Sequence, residues 1–371
     1  MSAAAPLPAL SYVREIAPYV AGKPIDELAR EFGLDPKSIV KLASNENPRG
    51  VPASAQRAIA GVLADLGRYP DSNGFALKSA LSAKFNVASD WITLGNGSND
   101  ILELAAAALL APGRSCLYAQ HSFAVYALAT QARGARAIVV PAQNLGHDLE
   151  AMASAIASDT ALIYIANPNN PTGTHLPAEA VETFLARVPS HVVVVIDEAY
   201  NEYLPPERRF DSVRWVRKYP NLLISRTFSK AYGLAGLRVG YGIAQPELTD
   251  LLNRVRQPFN VNAVAQAAAV AALDDAQFLE DSYQLNLAGM QQLSEAFRAL
   301  QLEFVPSYGN FLLVKVSDAQ RVDAQLLQRG IIVRPVANYD LPEWLRVTVG
   351  LPAENLRFLE ALPKALEAAR A

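Results

Sequence analysis

Short apolar runs alternate with longer segments of mixed character through the middle of the chain. Each run is apolar at nearly every position, which is typical of strands buried on both faces of a parallel sheet. Alanine-rich or amphipathic segments, predicted to be helices, separate many of them. The predicted strands are residues 91–94, 115–119, 137–140, 161–166, 192–196, 221–225 and 239–244. This order of elements indicates an α/β domain with a mostly parallel central sheet.

The pattern changes after residue 262, where a segment rich in alanine and leucine predicts long helices. Strand-like runs follow at residues 310–316, 331–336 and 345–350. They predict a smaller α+β domain, joined by an N-terminal helical segment that ends at Gly33. The predicted division is an N-terminal arm with part of the small domain over residues 1–44, a large domain over 45–262, and a connecting helix with the small domain over 263–371.

Composition narrows the classes of function. The chain has 371 residues, 51% hydrophobic and 19% charged, with a formal net charge of −3, and this length suffices for two sub-domains and a closed active site. Its charge is not that of a nucleic-acid-binding protein. We find no signal-peptide pattern and no apolar run of membrane-spanning length, so a cytoplasmic protein is expected. The single cysteine, Cys116, excludes an intrachain disulfide and fits a small buried apolar residue.

Glycine and polar residues follow the first predicted strand. Gly97, Ser98 and Asn99 precede an apolar helical segment, and backbone amides at the start of a helix can bind a phosphate. The segment lacks the third glycine of a dinucleotide-binding motif, and a plain connection between strand and helix is the alternative. After residues 161–166, the loop "NPNNPTGT" presents the amide of Asn170 at the sheet edge, with a rigid turn as the alternative.

A carboxylate ends the strand predicted at residues 192–196. Asp197 is costly at the end of so apolar a strand unless it meets a cation or hydrogen-bond donors, which favours a ligand-binding role. Tyr200 lies three residues further along and is expected to point toward the same site. Glu198 is assigned a structural partner instead.

An amine follows the strand predicted at residues 221–225. The strand leads to Thr227, Ser229 and Lys230, and a glycine-containing segment then reaches Arg238. A lysine in apolar surroundings has a lowered pKa and can act as a nucleophile, whereas two hydroxyls and an arginine suit a phosphate. Because the carboxyl ends of parallel strands meet at one edge of a sheet, these groups are expected to share a crevice with Asp197.

Together these motifs resemble the fold type I, pyridoxal-phosphate-dependent aminotransferases. The matching segments are "NPNNPTG", "DEAY" and "TFSKAYGLAGLRVGY", in that order. Further matches, "KLASNENP", "RYPD" and "LRVTVG", extend the likeness over nearly the whole chain and narrow it to the histidinol-phosphate aminotransferase group. The resemblance implies transfer of the amino group of L-histidinol phosphate to 2-oxoglutarate, which gives imidazole-acetol phosphate and L-glutamate in histidine biosynthesis.

The resemblance also implies roles for the residues of the crevice. Lys230 would form an aldimine with pyridoxal 5'-phosphate and later move the substrate's proton, and Asp197 would pair with the pyridine nitrogen. Asn170 and Tyr200 would donate hydrogen bonds to the cofactor's phenolic oxygen. Phe123 would stack on the ring, at a position where many relatives have tyrosine. The phosphate would be bound by Gly97, Ser98, Asn99, Thr227, Ser229 and Arg238. The neighbouring His121 is assigned a structural role, since the four histidines show no metal-ligand spacing.

Substrate and subunit contacts follow from the same resemblance. Arg334, Arg346 and Tyr19 match residues that bind the substrate's phosphate, and Asn45 is placed with them among the substrate-binding residues. Arg346 would also take the carboxylate of glutamate. Ordinary strand or surface positions are the alternative for Arg334 and Tyr19. Tyr69 matches a tyrosine that reaches the cofactor phosphate of the neighbouring subunit, which implies a homodimer; an aromatic residue in a plain turn is the alternative.

Three other functions stay open at this point. The same machinery could transaminate phenylalanine or tyrosine, or it could catalyse a decarboxylase or lyase reaction, as in the related threonine-phosphate enzyme. A nucleotide-binding or interaction module without a covalent cofactor would rest on "GNGSND" alone. That last hypothesis leaves Lys230, Asp197 and Arg238 without a role.

Overall fold

The computed structural model describes residues 7–19 and 21–370, and this part of the chain forms three β-sheets. The strands, numbered in chain order, are β1 (Val40–Lys41), β2 (Ile92–Gly95), β3 (Ser115–Ala119), β4 (Arg136–Val140), β5 (Thr160–Ala166), β6 (Val193–Asp197), β7 (Leu222–Thr227), β8 (Gly240–Ile243), β9 (Phe304–Val305), β10 (Phe311–Lys315), β11 (Ile331–Ile332), β12 (Arg334–Val336) and β13 (Leu341–Thr348).

Helices cover both the large sheet and the smaller ones. They are α1 (Ser11–Arg14), α2 (Ile25–Phe32), α3 (Ala53–Val62), α4 (Phe75–Phe85), α5 (Ser98–Leu109), α6 (Val125–Ala132), α7 (Leu149–Ser154), α8 (Ala178–Arg187), α9 (Val213–Lys218), α10 (Pro246–Val255), α11 (Ala263–Leu273), α12 (Ala276–Ala299), α13 (Ala319–Leu327) and α14 (Pro352–Arg370). None of the helices in the described ranges combines the length and apolar character needed to cross a lipid bilayer.

The central sheet contains the seven strands predicted from the apolar runs. Its order is β2-β8-β7-β6-β5-β3-β4, in which β8 runs antiparallel to both of its neighbours and the other adjacent pairs are parallel. The prediction of an α/β domain with a mostly parallel sheet is therefore confirmed. The predicted strand bounds differ from the observed ones by at most two residues.

Burial on both faces explains why these strands are apolar throughout. Val195 and Leu223 pack into the core on one face of the sheet, whereas Ile196 and Ile224 pack into the core on the other. Burying a charged side chain inside such a strand is costly, so the charged residues of this sheet lie at or next to the strand ends. For this reason, β6 and β7 place their first charged and hydroxyl groups together at their carboxyl ends.

The second region is built on the antiparallel sheet β12-β13-β10-β9, and β1 pairs in parallel with β11. Helices α12, α13 and α14 contribute to its core. The N-terminal segment packs here as well, because Leu28 of α2 lies in a cluster with Ile332. Helix α2 ends at Gly33, whose φ of +65° allows its amide to bond back to Ala29. The alanines of α11 instead pack with β2 and β8, and the predicted domain bounds stay predictions.

Candidate active site

The carboxyl ends of β5, β6 and β7 open into a cavity of about 200 Å³, which β12 and β13 also line. Most of the residues predicted from the sequence contact this cavity. They are Tyr19, Asn45, Ser98, Asn99, Phe123, Asn170, Asp197, Tyr200, Thr227, Ser229, Lys230, Arg238, Arg334 and Arg346. The fold therefore brings together segments that are separated by up to about 300 residues along the chain, as the end of a parallel sheet does.

Lys230 lies three residues beyond the end of β7, and its side chain is partly buried. Its Nζ donates a hydrogen bond of 3.0 Å to the carbonyl oxygen of Ser44. Burial lowers the pKa of the amine to about 8, and the nearby positive charge of Arg346 acts in the same direction. A larger fraction of the amine is therefore neutral near pH 7, and a neutral amine is a nucleophile. The Ser44 contact could not be found from the sequence, because the acceptor is a backbone oxygen.

Asp197 is the last residue of β6 and is almost fully buried. Its Oδ2 accepts a hydrogen bond of 3.0 Å from the hydroxyl of Tyr126, whereas its buried Oδ1 has no partner in the described structure. Burial raises the pKa of this carboxyl to about 6, and the Tyr126 bond opposes that rise. A buried carboxylate oxygen without a partner needs a donor or a cation to stabilise it. Sequence analysis missed Tyr126, because a tyrosine in an apolar helical segment resembles a core residue.

Asn170 and Tyr200, which line the cavity with Lys230, are each held by a hydrogen bond from another residue. The Nδ2 of Asn45 donates to the Tyr200 hydroxyl at 2.9 Å, and the Oδ1 of Asn45 accepts from Thr348 at 3.0 Å. The Oδ1 of Asn170 accepts from Nη1 of Arg346 at 2.6 Å, which leaves the NH₂ group of that amide as its donor. These contacts fix the orientations of Asn170 and Tyr200 toward the cavity.

The opposite end of the cavity is suited to an anion. Helix α5 begins at Ser98, and Nη1 of Arg238 donates to the Ser229 hydroxyl at 3.2 Å. Gly97 has a φ of +81°, and a Cβ atom there would lie 2.5 Å from Nη2 of Arg238. Gly97 therefore stands directly behind the cavity wall, where any side chain would displace the arginine. The hydroxyl of Thr227 accepts from the Ser229 amide at 3.1 Å. A helix start, a guanidinium and several hydroxyls together favour a phosphate.

Two buried arginines face each other in the second region. Arg334 and Arg346 are directly opposite partners in the antiparallel pair β12–β13, and only 8% and 7% of their surfaces are exposed. Two cations at directly opposite positions of a strand pair repel each other, and both of these guanidiniums line the same cavity. The ring of Tyr19 lies 5.6 Å from the guanidinium carbon of Arg334. Tyr19, Arg334 and Arg346 thus line one part of the cavity, and their chemistry suits an anion.

Four other residues singled out from the sequence lie outside the cavity or act structurally. Tyr69 is 82% exposed and stacks on Phe259, with 4.7 Å between ring centroids. His121 bonds to the carbonyl oxygen of Tyr339 through Nδ1, as a structural residue would. Burial raises the pKa of the Cys116 thiol to about 12, which makes it unreactive. Glu198 forms a buried ion pair of 2.8 Å with Arg226, the structural partner that was predicted for it. No metal-binding group of His, Cys, Asp or Glu occurs among the described residues.

Comparison with known proteins identifies the family. Residues 37–362 match the family model of aminotransferase class I and II. Histidinol-phosphate aminotransferase 1 of Cupriavidus pinatubonensis is 69% identical over 360 residues, which cover 96% of each chain. Histidinol-phosphate aminotransferase 2 of Ralstonia nicotianae is 67% identical over 364 residues, which cover 97% of each.

A solved structure extends the likeness to three dimensions. The crystal structure of histidinol-phosphate aminotransferase from Sinorhizobium meliloti, in complex with pyridoxal-5'-phosphate, superimposes with a TM-score of 0.90 at 27% identity. The superposition covers 98% of this chain and 99% of that one, which confirms the predicted fold type I architecture. The chain belongs to the class I and II aminotransferases and, within them, to the histidinol-phosphate aminotransferases.

Proposed function

We propose that this chain transfers the amino group of L-histidinol phosphate to 2-oxoglutarate, with pyridoxal 5'-phosphate as its cofactor. The products are imidazole-acetol phosphate and L-glutamate. The observation that carries the substrate assignment is the pair of buried arginines, Arg334 and Arg346, which face each other in the cavity that Lys230 lines. Two guanidiniums at directly opposite strand positions suit a dianionic phosphate better than the side chain of phenylalanine or tyrosine.

The residues present fit pyridoxal 5'-phosphate. The unpaired Oδ1 of Asp197 offers the negative acceptor that a protonated pyridine nitrogen needs. Arg238 and the start of α5 offer a phosphate site, and Phe123 lines the cavity where it could stack on a ring. When bound, the cofactor supplies an electron sink for the negative charge that develops on the substrate carbon.

We assign two roles to Lys230, as a nucleophile and as a general base. Its pKa of about 8 leaves part of the amine neutral at neutral pH, and that neutral amine accepts the proton from the substrate carbon and returns it to the product. Asp197 holds negative charge at the base of the cavity, whereas Tyr200 and the amide of Asn170 present donors to an oxygen anion beside the lysine. The hydrogen bonds from Asn45 and Arg346 keep these donors oriented, so little reorganisation is needed during proton transfer.

The arginine pair sets specificity. Arg334 and Arg346 bind the phosphate of the first substrate, and Arg346 binds a carboxylate of glutamate or 2-oxoglutarate in the other half-reaction. Nη2 of Arg346 also donates a hydrogen bond of 2.6 Å to the carbonyl oxygen of Ala43. The guanidinium carbon of Arg346 lies 5.5 Å from the centroid of the Phe311 ring. Arg346 is thereby held rigidly for both anions, whereas Arg334 distinguishes the phosphorylated substrate.

Replacing Arg334 by alanine tests this assignment. We expect kcat/KM for the half-reaction with histidinol phosphate to fall about 100-fold or more, because charge-assisted hydrogen bonds to the phosphate are lost. The half-reaction with phenylalanine should change much less. Arg321→Ala is the matched control, since Arg321 lies exposed on α13 and pairs only with Asp318 in the described structure. Equal losses for both substrates would contradict the role of Arg334. A wild-type preference for phenylalanine would favour the aromatic aminotransferase instead.

We further propose a homodimer in which Tyr69 reaches the phosphate of the partner's cofactor. In support, Tyr69 lies outside its own cavity, and the nearby Phe259 is 43% exposed. Mixed dimers of Lys230→Ala and Tyr69→Ala subunits provide the test. If Tyr69 acts across the interface, each mixed dimer has one complete site, and activity should recover above that of either pure variant. A monomer by sedimentation, or no recovery on mixing, would contradict the proposal.

A further inference from the structure

We infer that Asn260 and Asp100 position the loop that binds the cofactor's phosphate, although neither residue lines the cavity. The inference rests on the proposed function, because it takes pyridoxal 5'-phosphate as the ligand. The loop, residues 95–98, connects β2 to α5 and sets the direction of the first amides of the helix. It is tightly confined, since a Cβ atom on Gly240 of β8 would lie 2.6 Å from the Ser98 amide nitrogen. A small shift of this loop would therefore misplace the anion-binding amides.

Asp100 is the third residue of α5, and its carboxylate turns back toward the loop. Its Oδ2 accepts a hydrogen bond of 2.9 Å from the backbone amide of Asn96 and another of 3.0 Å from Nδ2 of Asn260. A side chain in the first helical turn that bonds back to a preceding amide is a recognised way of fixing a helix start. Asp100 therefore holds the loop in place. Both donors to its Oδ2, the Asn96 amide and the Asn260 side chain, belong to the protein.

Asn260 connects the end of β2 to the first turn of α5 through hydrogen bonds. Its Nδ2 donates both to Asp100 and to the carbonyl oxygen of Leu94, the latter at 3.0 Å. Its Oδ1 accepts from Nη1 of Arg256 at 2.8 Å. The oxygen and the NH₂ group of the amide thus have different partners, and only one orientation of the side chain satisfies all three contacts. The end of β2 and the first turn of α5 are joined through this one side chain.

The same segment supports the proposed subunit contact. Phe259 precedes Asn260 directly, stacks on Tyr69, and has a φ of +56°, which non-glycine residues rarely adopt. The chain between Arg256 and Asn260 therefore contacts residues on both sides of the phosphate loop of its own subunit and the tyrosine proposed to reach the other one. This double contact gives the segment a reason to be held in a strained conformation.

Cofactor binding to the apo-protein separates this role from a general structural one. For Asn260→Ala, we expect the Kd of pyridoxal 5'-phosphate to rise about tenfold, because the hydrogen bonds to Asp100 and to the Leu94 carbonyl are lost. The Kd of pyridoxal, which lacks the phosphate, should stay within about twofold of wild type. Gln245→Ala is the matched control: the Gln245 amide also donates to two backbone carbonyls, of Val216 and Arg217, and should change neither Kd.

A second variant keeps the test informative if Asn260→Ala folds poorly. Asn260→Asp retains the size of the side chain and an oxygen for Arg256, but it places an acceptor against Asp100 and the Leu94 carbonyl. It should weaken the phosphorylated ligand more than the alanine variant does. Equal weakening of both ligands, or no weakening of either, would overturn the positioning role. If the wild type itself binds neither ligand, the proposed function fails instead.

Discussion

Replacing Lys230 by alanine is expected to lower the amino-transfer rate by about 10⁴-fold or more. No other lysine lines the cavity among the described residues, and one amine is asked to act both as nucleophile and as base. Its burial, and the positive charge of Arg346, lower the pKa of the amine to about 8, so no other described group combines its position with its chemistry. The rate is measured as the half-reaction with histidinol phosphate, from the absorbance change of the bound cofactor.

A covalent readout accompanies the kinetic one. After incubation with pyridoxal 5'-phosphate and borohydride, the wild type should gain the mass of one cofactor per chain, and Lys230→Ala should gain none. Lys84→Ala is the matched control, because Lys84 is also a lysine whose pKa is lowered by burial, yet it lies on α4 and contacts Tyr232 outside the cavity. A wild type that never forms the adduct would favour a module without a covalent cofactor.

The central sheet could be predicted from the sequence because strands that are buried on both faces appear as short apolar runs. Each of its strands overlaps a run of residues that is mostly apolar, and the carboxyl ends of β6 and β7 follow from that assignment. Strands β1 and β9 were not predicted, since each has two residues and cannot show a repeating pattern. They form by pairing with distant strands, which is tertiary information.

The candidate site was predicted in its residue types but not in its contacts. Lys230 and Asp197 stand out because a charged group at or shortly after the end of an apolar strand is unusual. The hydroxyl of Tyr126, which bonds to Asp197, belongs to a helix in which its neighbours, residues 125 and 127–129, are apolar, so nothing in its sequence context indicates a polar partner. Tyr69 illustrates a different limit: a residue proposed to act in another subunit has no visible target within one chain.

The arginine pair shows what strand register adds. Arg334 and Arg346 lie on two strands that a short 3₁₀ turn connects, and the register of β12 shifts between Pro335 and Val336. The resemblance placed both arginines at the substrate. Only the pairing of the two strands puts them directly opposite each other, so that both guanidiniums line one cavity.

Replacing Asp197 by asparagine is expected to lower the half-reaction rate with histidinol phosphate by about 10³-fold. The asparagine keeps the shape of the side chain and can still meet Tyr126, but it carries no negative charge. When pyridoxal 5'-phosphate is bound, its pyridine nitrogen would lack the negative acceptor that Asp197 is proposed to provide, and the electron sink that the cofactor supplies would be weaker. The same absorbance assay measures the loss, and the variant's cofactor affinity is measured beside it.

Tyr126→Phe separates charge from hydrogen bonding at this position. It leaves the carboxylate in place and removes the 3.0 Å bond to Oδ2, so the expected loss is only about tenfold. A much larger effect of Asp197→Asn than of Tyr126→Phe identifies the charge as the decisive property. Equal effects would mean that orientation of the carboxyl is what matters, and the pairing proposed for Oδ1 would then be wrong. Because Oδ1 is buried without a partner in the described structure, the charge is the property expected to dominate.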